Sequence, residues 1–412
     1  MLGSVFAKDT IHLYIHQLFA ILFVISLGIG EVVSLAGIKL SYITTIVMIL
    51  FFLFETRGSI KLPGKKKNIR TLILFFLVWL VYPLVQYFWV KDLNLWFSFY
   101  VSLIINLLII VLLILYINTW DDWKVISRAF IAFLVIQLIV GCWEILTGNH
   151  LVLLEGERNL LYYISKPLSF FGNGNDNAVV VFFGLYNVLI YLFSEKKSIV
   201  TKFFLTLLCI AAVIEIVIID ARGATYSIFL LPLFAIYYQL KQSLEKRSKN
   251  LSQLFSIFVI IITGGFLLWV FLSHPIEYYL ARFSGEGNYY SDLGRIRIIT
   301  DSFNAFVESF FLGIGPGQSI VASHINLHNF YLEILFEYGI LIGGFMILQI
   351  FKVSFRNYPG LTMFSKSLIR AFPFVMVLTG VSSSKTFIMR PTWVLITLLF
   401  ALYYVYPHTD RE

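Results

Sequence analysis

Apolar runs of spanning length recur along the chain, each closed by a short polar segment. They fall at approximately 13–34, 37–54, 71–90, 95–117, 123–146, 177–193, 200–219, 223–240, 253–273, 328–350, 367–383 and 391–406. A helix crossing a bilayer core needs about 20 predominantly apolar residues, and these runs are of that order. The strict alternation of a membrane barrel strand is absent. The pattern therefore predicts an all-α polytopic membrane protein of about 12 transmembrane helices, with residues 1–412 forming one transmembrane domain. The first run, Gln17 to Leu35, lacks a small-residue cleavage site and is expected to stay as an anchor. The longest polar interruption, 274–327, predicts an exterior loop between helices 9 and 10.

Composition agrees with this pattern. Of 412 residues, 59% are hydrophobic and only 13% charged, too apolar for a soluble chain of this size. The formal charge of +8 reports orientation rather than nucleic-acid binding. The segment Glu55 to Arg70 alone holds six Lys/Arg, and placing it in the cytoplasm puts 21 of the 31 basic residues inside, the sign expected of cytoplasmic loops. Both termini are then cytoplasmic, and 274–327 faces outward. Trp and Tyr near span ends, among them Trp89, Trp96, Trp120 and Trp123, fit interfacial belts. Cys142 and Cys209 lie inside apolar runs, which suggests neither a disulfide nor a metal site.

Candidate chemistry gathers at the segments assigned outside. Residues 170–178 read FFGNGNDNA: Gly172 and Gly174 permit positive φ, while Asn173, Asn175, Asp176 and Asn177 can cap the next helix or bind hydroxyls of a sugar or headgroup. Arg222 stands between two membrane runs, where a charge is costly without a partner. Asp220 is the simplest partner, and a phosphate held by the guanidinium fork is the alternative. Residues 292–311 show a helical period, with Arg297, Asp301, Asn304 and Glu308 on a polar stripe and Ile299, Phe303, Phe306 and Phe310 opposite, as in an amphipathic helix near the membrane surface. Arg297 pairs most simply with Asp301, whereas Arg295 falls on the apolar side and is the better anion ligand. The turn 313–317 (GIGPG) leads to His328 at the mouth of the tenth span. His324 and His328 are four apart, but no third ligand stands at a metal-binding spacing. Glu333 and Glu337, deeper in that span, are expected to hydrogen-bond to neighbouring helices.

Arg222–Gly223, the FFGNGNDNA segment, Gly294–Arg295, the GIGPG turn and His328–Asn329 followed by Gly339 together resemble the superfamily of O-antigen ligases and O-antigen or capsular polysaccharide polymerases. The pattern departs at Gly174, where proline is common, and at Ile342, where a glycine is expected. The resemblance implies transfer of a glycan from an undecaprenyl-pyrophosphate carrier to a sugar hydroxyl of a lipid-linked acceptor, at the outer face of a bacterial cytoplasmic membrane, with neither metal nor cofactor. It points to His328 as general base and to Arg222 and Arg295 as pyrophosphate ligands. Asn173, Asn175, Asp176, Asn329 and Arg297 are further substrate-binding candidates. A flippase and a chain-length regulator are expected protein partners. The Phe, Ile, Lys and Asn bias suggests an AT-rich genome and favours a polymerase. A ligase acting on a different lipid or protein acceptor is the alternative, and a non-enzymatic flippase for lipid-linked oligosaccharides the second.

Overall fold

The structure, a computed structural model, describes residues 2–30, 33–35, 38–55, 67–152, 166–246, 289–323, 327–358, 360–383 and 386–405. The elements are α1 (Leu2–Ile29), the two-residue strands β1 (Ser34–Leu35) and β2 (Ile38–Lys39), α2 (Leu40–Glu55), α3 (Lys67–Gln86), α4 (Leu93–Tyr116), α5 (Trp120–Thr147), α6 (Gly174–Ser194), α7 (Ile199–Ile219), α8 (Arg222–Lys246), α9 (Tyr289–Glu308), α10 (Gln318–Ser323), α11 (Phe330–Ser354), α12 (Met363–Ser382) and α13 (Arg390–Val405). The strands pair antiparallel, Ser34 with Lys39 and Leu35 with Ile38.

Among the described residues, seven helices are long and apolar enough to cross a membrane: α3, α4, α5, α6, α7, α11 and α12. This is a multi-pass membrane protein. Shorter apolar helices at His16–Ile29, Leu40–Phe54 and Arg390–Tyr403 fall on the first, second and last expected spans, and α8 falls on the eighth. The ninth expected span lies outside the described residues.

Helix starts follow from local chemistry. Asp92 accepts from the Asn94 and Leu95 N–H groups at the head of α4, and Thr119 with Asp122 forms a capping box at the head of α5; each such cap satisfies N–H groups that a helix end leaves open. Helix α6 is the axis of the bundle. Its residues from Ala178 to Val188 are buried on every side, as an all-round apolar helix must be. Its polar groups are paired: Asn187 Nδ2 donates to Ser127 O at 3.0 Å and its Oδ1 accepts from Ser127 Oγ at 3.0 Å. Of the aromatic residues expected at membrane interfaces, Trp89 and Tyr87 are exposed and others reach inward. Trp96 and Trp123 are buried, and the indole N–H groups of Trp89, Trp96 and Trp123 donate to the carbonyls of Gly313, Pro83 and Leu398.

Candidate functional site

Helix α11 is not the straight span that its hydropathy predicts. Gly339 has φ 82° and ψ 167° and breaks it. Such a break leaves the carbonyls of the preceding turn without their helical donors, and each buried polar group left unmet costs about 1–3 kcal/mol. The glycine turn supplies the donors: Ile314 N–H reaches Phe336 O and Gly315 N–H reaches Glu337 O, both at 2.9 Å, while Ile340 N–H turns to Phe311 O at 3.0 Å. Gln86 Nε2 adds a bond to Glu337 O at 2.7 Å. Glycine is required on both sides of this contact. A Cβ on Gly313 would stand 2.4 Å from Gly339 N, and one on Gly339 would stand 2.3 Å from Leu312 O. The GIGPG segment is therefore threaded into the broken helix, where the expectation was a simple chain reversal.

Two side chains lock that insertion. Gln318 clamps the α3–α4 connection, its Oε1 accepting from Lys91 and Asp92 N–H at 2.9 and 3.0 Å and its Nε2 donating to Asp92 O at 2.8 Å. Glu337, fully buried, accepts from Ser319 Oγ at 2.5 Å and from the backbone of Gly317 and Ser319. The partner expected on a neighbouring spanning helix thus lies in the short helix α10. Glu333 is also buried, with Oε2 unpaired among the described residues.

The far end of the insertion returns the chain to His328, half-buried just ahead of α11, with Nδ1 buried and unpaired among the described residues. Burial first, and then the positive charge of Arg295, lower its pKa to about 4. Arg295 of α9 and His328 are thus brought together across 33 residues of chain. Helix α9 is held there by a small core of Ile298, Phe306, Leu327 and Phe336. Its phase is rotated by about one residue from the sequence expectation: the buried row is Ile298, Ser302 and Phe306, whereas Ile299, Phe303 and Phe310 are exposed. Arg295, three residues before Ile298, remains on the packed side. Arg297 is 84% exposed and its Nε lies 3.5 Å from Asp301 Oδ2, as expected of a surface ion pair.

The other candidates approach the same end of the bundle. A Cβ on Gly380 of α12 would lie 2.9 Å from Asn329 Cα, and Ser383, the next residue beyond α12, donates to Asp176 Oδ1 at 2.6 Å. Asp176 is buried on the first turn of α6. Gly174, where that helix begins, packs against Ile219 at the end of α7, three residues before Arg222. Phe234 meets Phe374, and Arg370 lies over Tyr238, so α8 and α12 run antiparallel and this register puts half-buried Arg222 level with the end of α12. Helices α6, α8 and α11 therefore point their N-termini toward one region, and helix N-termini carry partial positive charge suited to anions.

Some candidates have structural tasks. Asn173 Oδ1 accepts from Asn175 N–H at 2.9 Å and Asn329 Oδ1 accepts from Tyr331 and Leu332 N–H at 3.0 and 3.1 Å, both as helix caps. Asn175 is half-buried behind the Asn173 cap. Asn177 is fully buried, taking a bond from Gln137 Nε2 at 2.6 Å and donating to Pro167 O and Glu215 Oε1 at 3.1 and 3.0 Å. Gly172 and Gly174 do not use positive φ; Gly174 serves close packing. Asp220 caps α7 in the left-handed region and lies 4.0 Å from Lys166 Nζ. His324 lies outside the described residues.

Gln86, Gln318, Ser383 and Glu144 were not singled out from the sequence. Glu144, fully buried, gathers Leu151, Leu168 and Ser169 N–H at 3.1, 2.6 and 2.8 Å and so fixes the approach to α6. The sequence signal for it is an acidic residue deep in an apolar run. Arg390, also fully buried, donates to Asn106 Oδ1 at 2.7 Å and Ile388 O at 2.6 Å; an arginine opening the last apolar run is a comparable signal.

Residues 205–348 match a family described as O-Antigen ligase. Over 363 residues the chain is 22% identical to the teichuronic acid biosynthesis protein TuaE of Bacillus subtilis (strain 168), a similarity covering 81% of this chain and 72% of that one. No solved structure matches. Both similarities support the resemblance to the O-antigen ligase and polymerase superfamily, and the matched segment contains Arg222, Arg295, the glycine turn and His328.

Proposed function

We propose that the chain is a glycosyltransferase of polysaccharide synthesis that moves a glycan from a polyprenyl-pyrophosphate carrier to a sugar hydroxyl. The observation that carries this reading is the meeting of Arg295 with half-buried His328 at the head of α11, beside the N-termini of α6 and α8. The planar guanidinium of Arg295 is suited to gripping phosphate oxygens in two places. The same meeting keeps the imidazole neutral and able to accept a proton.

In the reaction, the acceptor oxygen attacks the anomeric carbon and the bond from that carbon to the pyrophosphate oxygen breaks. The hydroxyl proton goes to His328, and the leaving pyrophosphate keeps the electron pair. Negative charge growing on it is met by Arg295, by Arg222 and by the converging helix N-termini, a fixed arrangement that needs little reorganisation. Attack opposite the leaving group inverts the anomeric centre. In this reading no metal takes part, as the resemblance implies, and undecaprenyl is the expected carrier. The site faces outward from the cytoplasmic membrane if the basic loops lie inside.

Polymerase is preferred over ligase. The relative's part in teichuronic acid biosynthesis is in keeping with a synthetic rather than a transport role. Purified protein in lipid, given lipid-linked repeat units, is expected to make a ladder of product lengths. A single transfer onto a different lipid or protein acceptor would show a ligase. Flipping of lipid-linked donor without its consumption would show a transporter.

A further inference from the structure

Helix α9 has three faces, of which two are accounted for. Arg297, Asn304 and Glu308 make the polar one, and Ile298, Ser302 and Phe306 pack on the protein. The third, Ile296, Ile299, Phe303, Val307 and Phe310, repeats at helical spacing and is exposed. Its last member is the unusual one. Phe310 and Phe311 have φ of 53° and 61°, a region where a bulky side chain is an outlier. Phe311 N–H reaches back to Phe306 O at 3.1 Å, closing the helix with a left-handed turn that glycine makes most cheaply. A phenylalanine here carries backbone strain, and its ring is 83% exposed.

What lies against that ring follows from its neighbours. Leu312 and Gly313 accept from Tyr82 OH and Trp89 Nε1 at 2.6 and 2.9 Å, which fixes the end of α9 to the end of α3. Helix α3 is one of the membrane-crossing helices, and Leu77, Val81, Leu84 and Val85 form its exposed row. Phe311 and Leu312 are exposed beside that end of α3, and exposed Ile340 and Leu341 of α11 adjoin them through the Ile340 N–H bond to Phe311 O. The apolar face of α9 is thus continuous with a surface that meets lipid.

We infer that the third face of α9 is seated in the hydrocarbon edge of the bilayer, with Phe310 as its anchor. Lipid thereby grips the helix at the end opposite Arg295. Ring burial in hydrocarbon offsets the strain at Phe310, and the depth of Arg295 and His328 relative to the membrane is set by this seat.

The test reads contact and not turnover, so it stands apart from the proposed reaction. In full-length protein with Cys142→Ser and Cys209→Ser, a fluorescent label is placed at Phe310→Cys or at Arg297→Cys, and the protein is reconstituted in phospholipid nanodiscs. Brominated acyl chains are expected to quench the label at position 310 several-fold more than that at 297, and aqueous iodide to show the reverse order. Phe303→Cys, on the same face with ordinary helical φ, repeats the test if the variant at 310 does not fold. Iodide quenching equal to that at 297 overturns the inference. So does shielding from both quenchers, which would mean a protein partner, or lipid quenching that appears only on adding a lipid-linked donor, which would mean a carrier tail.

Discussion

Where α6 ends and α7 begins, Lys124 and Lys197 lie 3.0 and 3.2 Å from the Glu195 carboxylate, and Lys197 also stands over the Tyr191 ring at 3.9 Å. Arg128 donates to Tyr191 OH at 2.8 Å, and at the same end Arg356 lies over Tyr403 at 4.0 Å. Burial alone would raise the pKa of Glu195, but Trp120, Lys124 and Lys197 as donors bring it down to about 2. At the other end of the bundle the positive charge of Arg295 bears on His328 and works against its protonation. One end brings Lys124, Lys197, Arg128 and Arg356 each to an acceptor or a ring. The other sets Arg295 beside a half-buried histidine that its charge helps to keep neutral. Charge at the first end serves the fold, and in the proposed reaction charge at the second serves a ligand.

Substitutions separate the two ends, and the largest effect is expected at His328. His328→Ala should lower transfer by about 10²–10⁴-fold, the range for loss of a general base, measured as product formed from a lipid-linked donor; donor should still reach the surface where it is consumed. Arg295→Ala and Arg222→Ala should each cost more than about tenfold in kcat/KM. Glu195→Gln should leave transfer within about twofold while lowering stability by about 1 kcal/mol, read by thermal melting, because its partners are part-exposed and screened. Arg297→Ala should be the mildest, since exposed ion pairs contribute about 0–1 kcal/mol; a loss as large as that of Arg295→Ala would place the wrong face of α9 at the site.

The membrane class, the seven long apolar helices and the exposure of Arg297 were legible from hydropathy and period, which are local properties. Helix phase in α9 was not, because the row Ile299–Phe303–Phe310 is the more apolar one, yet the adjacent row Ile298–Ser302–Phe306 is the one buried. One packs on protein and the other is left to lipid, and periodicity alone does not rank them. The break at Gly339 was equally hidden. It depends on donors from Ile314 and Gly315, some twenty residues away, and an apolar run reads the same whether straight or broken. Asn173 and Asn177 show the same limit: in sequence both are polar residues near a helix start, but one caps α6 and the other lies in a fully buried network with Gln137 and Glu215. Short-range pattern identified residues able to do chemistry, and long-range hydrogen bonding decided which of them are committed to structure.

The central claim is that Arg295 and His328 act as one unit, and the pH dependence of kcat/KM tests it most directly because it reports groups of the free enzyme. Removing a neighbouring positive charge makes protonation easier, so its loss must move the histidine upward. The wild-type acid limb is expected at about pH 4, and in Arg295→Ala it should move toward the ordinary histidine value of about 6.5. A wild-type limb already near 6.5, or one that stays in place when Arg295 is removed, would contradict the account.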